Sequence, residues 1–515
     1  MRRLIPKSRR GSLVRFSIAA LIVVAFTATT TAVAGLLQFK QLAADISQQA
    51  PIRHARVTIP KPGHPQTILL IGSDHRAGEP FKSANTDTMM LVHIDASSST
   101  INVLSVPRDL RVEIPQGGGV ATGKLNSAYS VGGPNLLVKV LKQQVFPDLQ
   151  VNHIVDVNFG GFEQLVNAIG CVYTDVDHRY YNNTAFTDYS SIDLQPGYQR
   201  LCGSDALSFV RFRHTDSDLV RNARQQDFLR WAKAQYSFGQ LLAHRDTLLT
   251  IFGKHTQTDA DLHTPDGIEN LFNLVAFSDG HTIKQIPFPA TFLPCSTGAT
   301  TTTATGATVT TGATPCYVTA STAAERATFA AFMRPTSGAA KKAGAAPKKR
   351  RHTSSASSAA LTGDVSDGHA QAAALGNLGL PIYYPRVIAP GSRYCTDATC
   401  TEGPIANSYP RHYFIRARDG TRYPAYRMTV ALNTMLGQYY GIQGTTWQKA
   451  PILSSPGATR TVGGRHLLLY YDGNKLTTVA WRTASAVYWI SNTLTEDLSN
   501  GQMLGIAASL TQKRS

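Results

Sequence analysis

The chain has few acidic residues and few cysteines for its length. Its 515 residues hold 33 Asp and Glu against 50 Lys and Arg, a formal net charge of +17. The imbalance is concentrated in two runs that contain no carboxylate. One comprises Arg2, Arg3, Lys7, Arg9, Arg10 and Arg15, the other Lys341, Lys342, Lys348, Lys349, Arg350 and Arg351. The remainder keeps only a mild positive excess, which suits an anionic ligand and excludes a surface built to coat nucleic acid. The 6 cysteines match no zinc spacing and have no histidines at ligand spacing, which makes a structural zinc site a poor reading. There is no internal repeat. What the sequence does have is apolar material, 43% hydrophobic and 9% aromatic. That is enough for sizeable cores, and it excludes both wholesale disorder and a multi-span membrane protein.

The uncharged, mainly apolar stretch from Phe16 to Leu37 has the length a helix needs to cross a hydrocarbon core of roughly 30 Å. Cations precede it and the first acid after it is Asp45. The positive-inside rule therefore predicts a cytoplasmic tail over 1–15, a transmembrane anchor over 16–37 and everything beyond on the outer side of the cell membrane. Two alternatives stay open: a cleaved signal peptide ending near Ala32-Val33-Ala34, and a twin-arginine signal at Ser8-Arg9-Arg10. All three export the chain. Export favours disulfides, and the cysteines fall as sequential neighbours: Cys171 with Cys202, Cys295 with Cys316, and Cys395 with Cys400.

After the anchor come a stem over 38–66, a first domain over 67–335 with alternating strand and helix patterns, a linker over 336–376 rich in Ala, Ser, Lys and Arg, and a second domain over 377–515. A Thr/Ala/Gly tract over 296–314 buries no core and reads as an insertion. In the second domain, β alternation recurs at Tyr413–Arg416, Tyr423–Val430, Leu467–Tyr471, Leu476–Trp481 and Val487–Ile490, and a helical pattern runs from Leu498 to Leu510. This predicts a mainly antiparallel sheet with one covering helix.

The apolar run Thr67 to Gly72 reads as a buried strand that delivers Asp74 to a sheet edge. Thr88 to Ile94 and Ile101 to Val106, joined by a polar loop, read as a hairpin. Asp87 stands just before the first of these strands and Arg108 just after the second, so both lie at one end of the pair. Antiparallel pairing with the Thr67 strand brings Asp74 to the same end. Two carboxylates with open positions suit Mg²⁺ or Mn²⁺, which take few protein ligands and fill the rest with water and phosphate oxygens. An arginine beside them supplies a planar fork for phosphate. Taken singly, each such Asp is an ordinary turn or cap residue. Farther along, alternation over Phe209 to Arg213 predicts a strand with Arg211 and Arg213 on one face. Asp216-Ser217-Asp218 offers a helix cap, after which Arg221, Arg224 and Gln225 share a helix face. Arginines around a helix start make a diphosphate cradle; an exposed Asp/Arg salt-bridge belt is the competing reading.

These residues resemble the motifs of the LytR-CpsA-Psr (LCP) family of cell-wall glycopolymer ligases, of actinobacterial type. The matching pieces are Leu70 to Arg76, Asn85 to Met90, Ser105 to Asp109, Lys124 to Tyr129 with Gly132-Gly133-Pro134, Asp156 to Phe162, and Arg211 through Gln225, in order over roughly 66 to 335. The resemblance implies an α/β fold, an LCP-type mixed β-sheet flanked by helices, after one N-terminal transmembrane helix, with a smaller α+β C-terminal domain. It implies a single-pass phosphotransferase that takes a glycopolymer from a polyprenyl-pyrophosphate donor and joins it to peptidoglycan by a phosphodiester. By matching motif, Asp74 and Asp87 would hold the metal. Arg76, Arg108, Arg211, Arg213, Arg221, Arg224 and Gln225 would hold the pyrophosphate, and Asp218 would orient arginines. Arg108, Asp87, Arg211 and Arg213 would carry the chemistry. Leu136, Leu137, Val140, Leu141, Phe228 and Trp231 are candidates for a polyprenyl tunnel or for ordinary core. His75 and Val220 depart from the family pattern without removing a ligand. Tyr439 to Trp447 and Trp481 to Leu494 resemble a C-terminal extension of some actinobacterial relatives. Alternatives are a polyprenyl-pyrophosphate phosphatase and a non-catalytic lipid- or wall-binding module. A DNA-binding regulator is disfavoured, because the tail over 1–15 is too short for a reading domain.

Overall fold

The computed structural model describes residues 49–52, 57–75, 84–183, 191–213, 216–293, 299–302, 308–311, 316–336, 360–400 and 403–513. The anchor expected over 16–37, Arg76 and Cys295 lie outside the described residues. Among the described residues no helix is long and apolar enough to cross a membrane.

The first unit is built from β1 (Gln66–Ser73), β2 (Thr86–Ile94), β3 (Thr100–Ser105), α1 (Leu125–Val140), β4 (His153–Asn158), α2 (Phe159–Ala168), β5 (Val172–Val176), β6 (Gly197–Leu201), α3 (Gly203–Arg211), α4 (Asp218–Gln235), β7 (Thr256–Thr258), β8 (Thr282–Gln285) and α5 (Thr322–Met333). Six strands form a mixed sheet in the order β7-β4-β1-β2-β3-β8. The β1/β4 and β3/β8 pairs are parallel and the others antiparallel. Alternate residues face opposite sides, as strand geometry requires. Leu69, Ile71, Met89, Leu91 and Leu104 pack against α1 and Phe332 of α5, whereas Met90 and Val103 meet Leu229 of α4. Leu137, Val140 and Leu141 are fully buried in the first of these cores, and Phe228 belongs to another with Val172 and Phe209. They are ordinary core. The Cys171–Cys202 bridge joins the start of β5 to the start of α3, Cys395 and Cys400 are bonded, and Cys316 is disulfide-bonded. Within the 296–314 tract, Ala299–Thr302 and Thr308–Thr311 pair as a two-stranded ribbon.

Three expectations of the fold need correction. The segment expected as a strand over 209–213 is the last turn of α3 as far as Arg211, with Phe212 and Arg213 just beyond the helix end, because Ala206, Phe209 and Val210 are buried together at helical spacing. The linker expected to end at 376 ends earlier. Val365–Ala374 forms α6, whose Ala372 is fully buried in the second unit's core. Alanine looks like low-complexity filler in sequence, yet it is the best helix former.

The second unit adds β9 (Arg393–Tyr394), β10 (Arg411–Arg416), β11 (Arg422–Asn433), β12 (Gln438–Thr445), β13 (Ala458–Val462), β14 (Arg465–Asp472), β15 (Lys475–Arg482), β16 (Val487–Ser491) and α7 (Asn500–Ser509). The sheet runs β9-β11-β12-β16-β15-β14-β13, with β10 also on β11. It is antiparallel throughout. Both α6 and α7 contribute to the core over it, so two helices cover it rather than the one expected. This unit is docked on the first. Tyr173 and Tyr198 share an aromatic core with Tyr413, Ile452 and Trp489. The backbone N–H of Tyr198 donates to the Tyr413 hydroxyl at 2.8 Å, and that of Arg179 to the Tyr409 hydroxyl at 2.7 Å.

Candidate functional site

The site begins with a break in strand register. Gly72 pairs with Thr88, but Ser73 pairs with Thr86, which leaves Asp87 as the extra residue of a bulge. A bulge re-aims the side chain it carries, and bulges recur beside active sites. Asp87 Oδ1 accepts from Arg108 Nη1, and Oδ2 accepts from Arg211 Nε at 3.1 Å. Arg221 Nη1 stands 3.9 Å from Oδ1. Burial disfavours the charge on Asp87, but Arg221, Arg108 and Arg211 together outweigh it and hold the carboxyl below its usual range. The Arg211 guanidinium lies 3.9 Å over the ring of Phe159 at the start of α2.

Asp74 follows β1 directly and is exposed. Its Oδ1 accepts the Asn85 backbone N–H at 2.5 Å, which puts it at the sheet end where Asp87 and Arg108 stand. That matches the hairpin argument. Two carboxylates of one sheet end have the hard oxygen donor chemistry that Mg²⁺ or Mn²⁺ prefers, with Asp74 exposed and both oxygens of Asp87 accepting from arginines.

Ser217 caps α4 by accepting the Val220 N–H. Asp218, the first residue of that helix, accepts the Arg108 backbone N–H at 3.0 Å and pairs with Arg221. Arg213 pairs with Asp109. Asp109 is a residue that the sequence analysis does not single out, although it sits in the Ser105 to Asp109 motif. It also binds Lys124 Nζ at 2.9 Å and lies 4.0 Å from Arg108 Nε. Burial opposes its charge, but Lys124, Arg213 and Arg108 hold its carboxyl low. Asp156 is a second such residue. It accepts from Ser73 at 2.7 Å and from the Tyr129 hydroxyl at 2.5 Å, tying β1 to β4 and α1. Burial pushes its carboxyl up to about 6.

Arg224 and Gln225 do not face the cluster. The helix face they share is packed against α3. Arg224 is wholly buried, pairs with Asp216, and donates to the Phe212 carbonyl at 2.8 Å and the Phe209 carbonyl at 3.2 Å. Gln225 donates to the Val210 carbonyl at 3.1 Å. These are carbonyls at the end of α3, which a helix leaves without intrahelical partners. Arg224 and Gln225 thus hold the segment that carries Arg211 and Arg213.

The LytR_cpsA_psr family model matches residues 31–314. The chain is 33% identical over 203 residues to a polyisoprenyl-teichoic acid–peptidoglycan teichoic acid transferase, TagU, of Oceanobacillus iheyensis, covering 38% of this chain and 59% of that one. It is 34% identical over 166 residues to the transferase of the same description, TagT, of Bacillus subtilis, covering 32% and 50%. The chain therefore spans between half and three-fifths of these relatives' own length. The crystal structure of Bacillus subtilis TagV aligns at a TM-score of 0.39 with 21% identity, over 53% of this chain and 97% of that one. By the extent of the family match, the chain belongs to the LytR-CpsA-Psr family.

Proposed function

We propose that the chain is a phosphotransferase that moves a glycopolymer from a polyprenyl-pyrophosphate carrier to peptidoglycan. The observation that carries this reading is the bulged Asp87 held by Arg108, Arg211 and Arg221. A cluster of guanidinium groups around one anion, at the open end of a rigid sheet, is built for a second, more highly charged anion. The relatives' descriptions as teichoic acid transferases support it. In this reading the chain is anchored by residues 16–37 with its C-terminal bulk outside the membrane, and Mg²⁺ or Mn²⁺ is held by Asp74 and Asp87.

A hydroxyl of the acceptor sugar attacks the phosphorus attached to the glycan. The bond from that phosphorus to the bridging oxygen breaks, polyprenyl phosphate leaves, and the hydroxyl proton passes to the leaving phosphate or to water. The products are a phosphodiester and polyprenyl monophosphate. Arg108 and Arg211 turn from Asp87 to the diphosphate oxygens, and Arg213, fixed by Asp109, adds a third guanidinium. Such preorganised charge supplies most of the barrier reduction in phosphoryl transfer. A bound divalent cation would neutralise charge developing on the diphosphate. The test is transfer by the purified full-length chain from a synthetic polyprenyl-pyrophosphate glycan to peptidoglycan oligomers with Mg²⁺. A phosphodiester product lost on Arg108→Ala and Asp87→Ala supports the reading. Release of polyprenyl phosphate without joined product would replace it with hydrolysis.

A further inference from the structure

We propose that the second unit is a working part of the arginine cradle, and that its β11–β12 turn, through Gly437 and Tyr439, positions Arg224 and with it the Arg211–Arg213 segment. The proposal rests on reading the cradle as a diphosphate site, and it gives residues 361–513 a role in the chemistry rather than a separate binding task.

The contact starts at Gly437, whose φ of 66° lies in the left-handed region. A Cβ there would stand 2.7 Å from Asp216 Oδ1 and 3.4 Å from Val220 Cγ1. The second unit's backbone therefore lies directly against the start of α4, and glycine is the residue that both the conformation and the space allow. Two residues on, the Tyr439 ring stacks on His178, with centroids 4.3 Å apart and planes 19° from parallel. His178 Nε2 is 3.9 Å from Asp216 Oδ1. Asp216 is the carboxylate of Arg224, and Arg224 grips the Phe212 carbonyl between Arg211 and Arg213. His178, Asp216 and Arg224 are all buried.

The chain of contacts is short: a close backbone approach at Gly437, a ring stack, and a buried ion pair. Arg224 carries a cation with no exposure to water, so its place depends on where Asp216 stands. On the side facing the second unit, Asp216 is bounded by Gly437 and by His178 under Tyr439. Displacing the turn admits water to the Asp216–Arg224 pair, weakens it by raising the local dielectric, and releases the α3 carbonyls that aim Arg211. Tyr439 and Gly437 touch no reacting group; they are positioning residues.

The test measures binding of inorganic pyrophosphate with Mg²⁺ to the full chain by calorimetry. Tyr439→Ala and Gly437→Val are expected to weaken binding by at least about tenfold, while Tyr439→Phe, which keeps the stack, stays within about twofold of wild type. Tyr439→Leu gives the same reading should the alanine variant not fold, because it keeps apolar volume and removes the ring. Tyr413→Phe is the control. It removes a hydroxyl that bonds Tyr198 and Gln443 elsewhere in the same interface, and it is expected to bind like wild type. Equal weakening by Tyr413→Phe would overturn the proposal in favour of general interface loosening. Wild-type binding by a folded Tyr439→Ala or Tyr439→Leu chain would overturn it outright. If wild type does not bind pyrophosphate, or Arg108→Ala binds as well as wild type, the diphosphate reading of the cradle itself falls and this inference falls with it.

Discussion

The arginine and aspartate cluster at the docking interface and the one at the sheet end differ in how their hydrogen-bond donors are used. At the docking interface Arg427 spends every nitrogen on the protein: Nη1 on Asp175 at 2.6 Å, Nη2 on the Asp177 carbonyl at 2.9 Å, and Nε on Thr429 at 3.2 Å. Asp175 is likewise filled by Gln443 and Trp489. Neither side chain is more than 6% exposed. At the sheet end, Asp87, Arg108 and Arg211 keep 13%, 22% and 32% exposure, and the Nε atoms of Arg108 and Arg221 have no hydrogen-bond partner. The first cluster is a closed strut. The second holds a carboxylate where another anion can compete for the same guanidinium groups. Burial alone does not separate the two; exposure together with donors left unpaired at Arg108 does.

The largest effect that tests this contrast is on stability. Arg427→Ala leaves Asp175 buried without its cation and is expected to cost about 3–5 kcal/mol, read from denaturant unfolding. Arg108→Ala should do the reverse, lowering transfer by about 10²–10³-fold while stability changes by less than about 1 kcal/mol. An Arg108→Ala chain as unstable as Arg427→Ala would break the contrast. A smaller effect comes from acid. Asp87 has a carboxyl lowered in the folded state, so its stabilisation is present above the unfolded carboxylate value and is lost as pH falls through the folded value. Asp87→Asn is therefore expected to flatten the acid limb below about pH 4, measured as melting temperature against pH. Glu325 sharpens the comparison from the opposite side. It is buried, and burial alone pushes its carboxyl up to about 7. Its folded form keeps a proton that the unfolded chain has already released, so stability falls as pH rises from the unfolded value to about 7. Glu325→Gln should raise the melting temperature at pH 8 by roughly 2–4 °C and leave it unchanged at pH 4.

The part of this site that was legible in sequence is the part that is local. A hairpin of two apolar strands must bring Asp87 and Arg108 to one end, and the observed pairing of β2 with β3 does so. The bulge that turns Asp87 toward the arginines is a shift of one residue in register and leaves no mark in composition. Arg211 shows how a pattern misleads: alternation over five residues reads as strand, but burial of Ala206 with Phe209 and Val210 makes it helix. Arg224 and Gln225 share a face, as spacing requires, yet which element that face meets is a tertiary fact. The Arg427–Asp175 strut joins residues 252 apart, beyond the reach of any local signal, and with it went the docking of the second unit.

The most direct test of the open cluster is a crystal structure of the full chain with pyrophosphate and Mg²⁺. Pyrophosphate is expected at the ends of β1 to β3, with Arg108 and Arg211 moved from Asp87 to phosphate oxygens while Arg427 stays on Asp175. Pyrophosphate bound elsewhere, with Asp87 still holding both arginines, would contradict it.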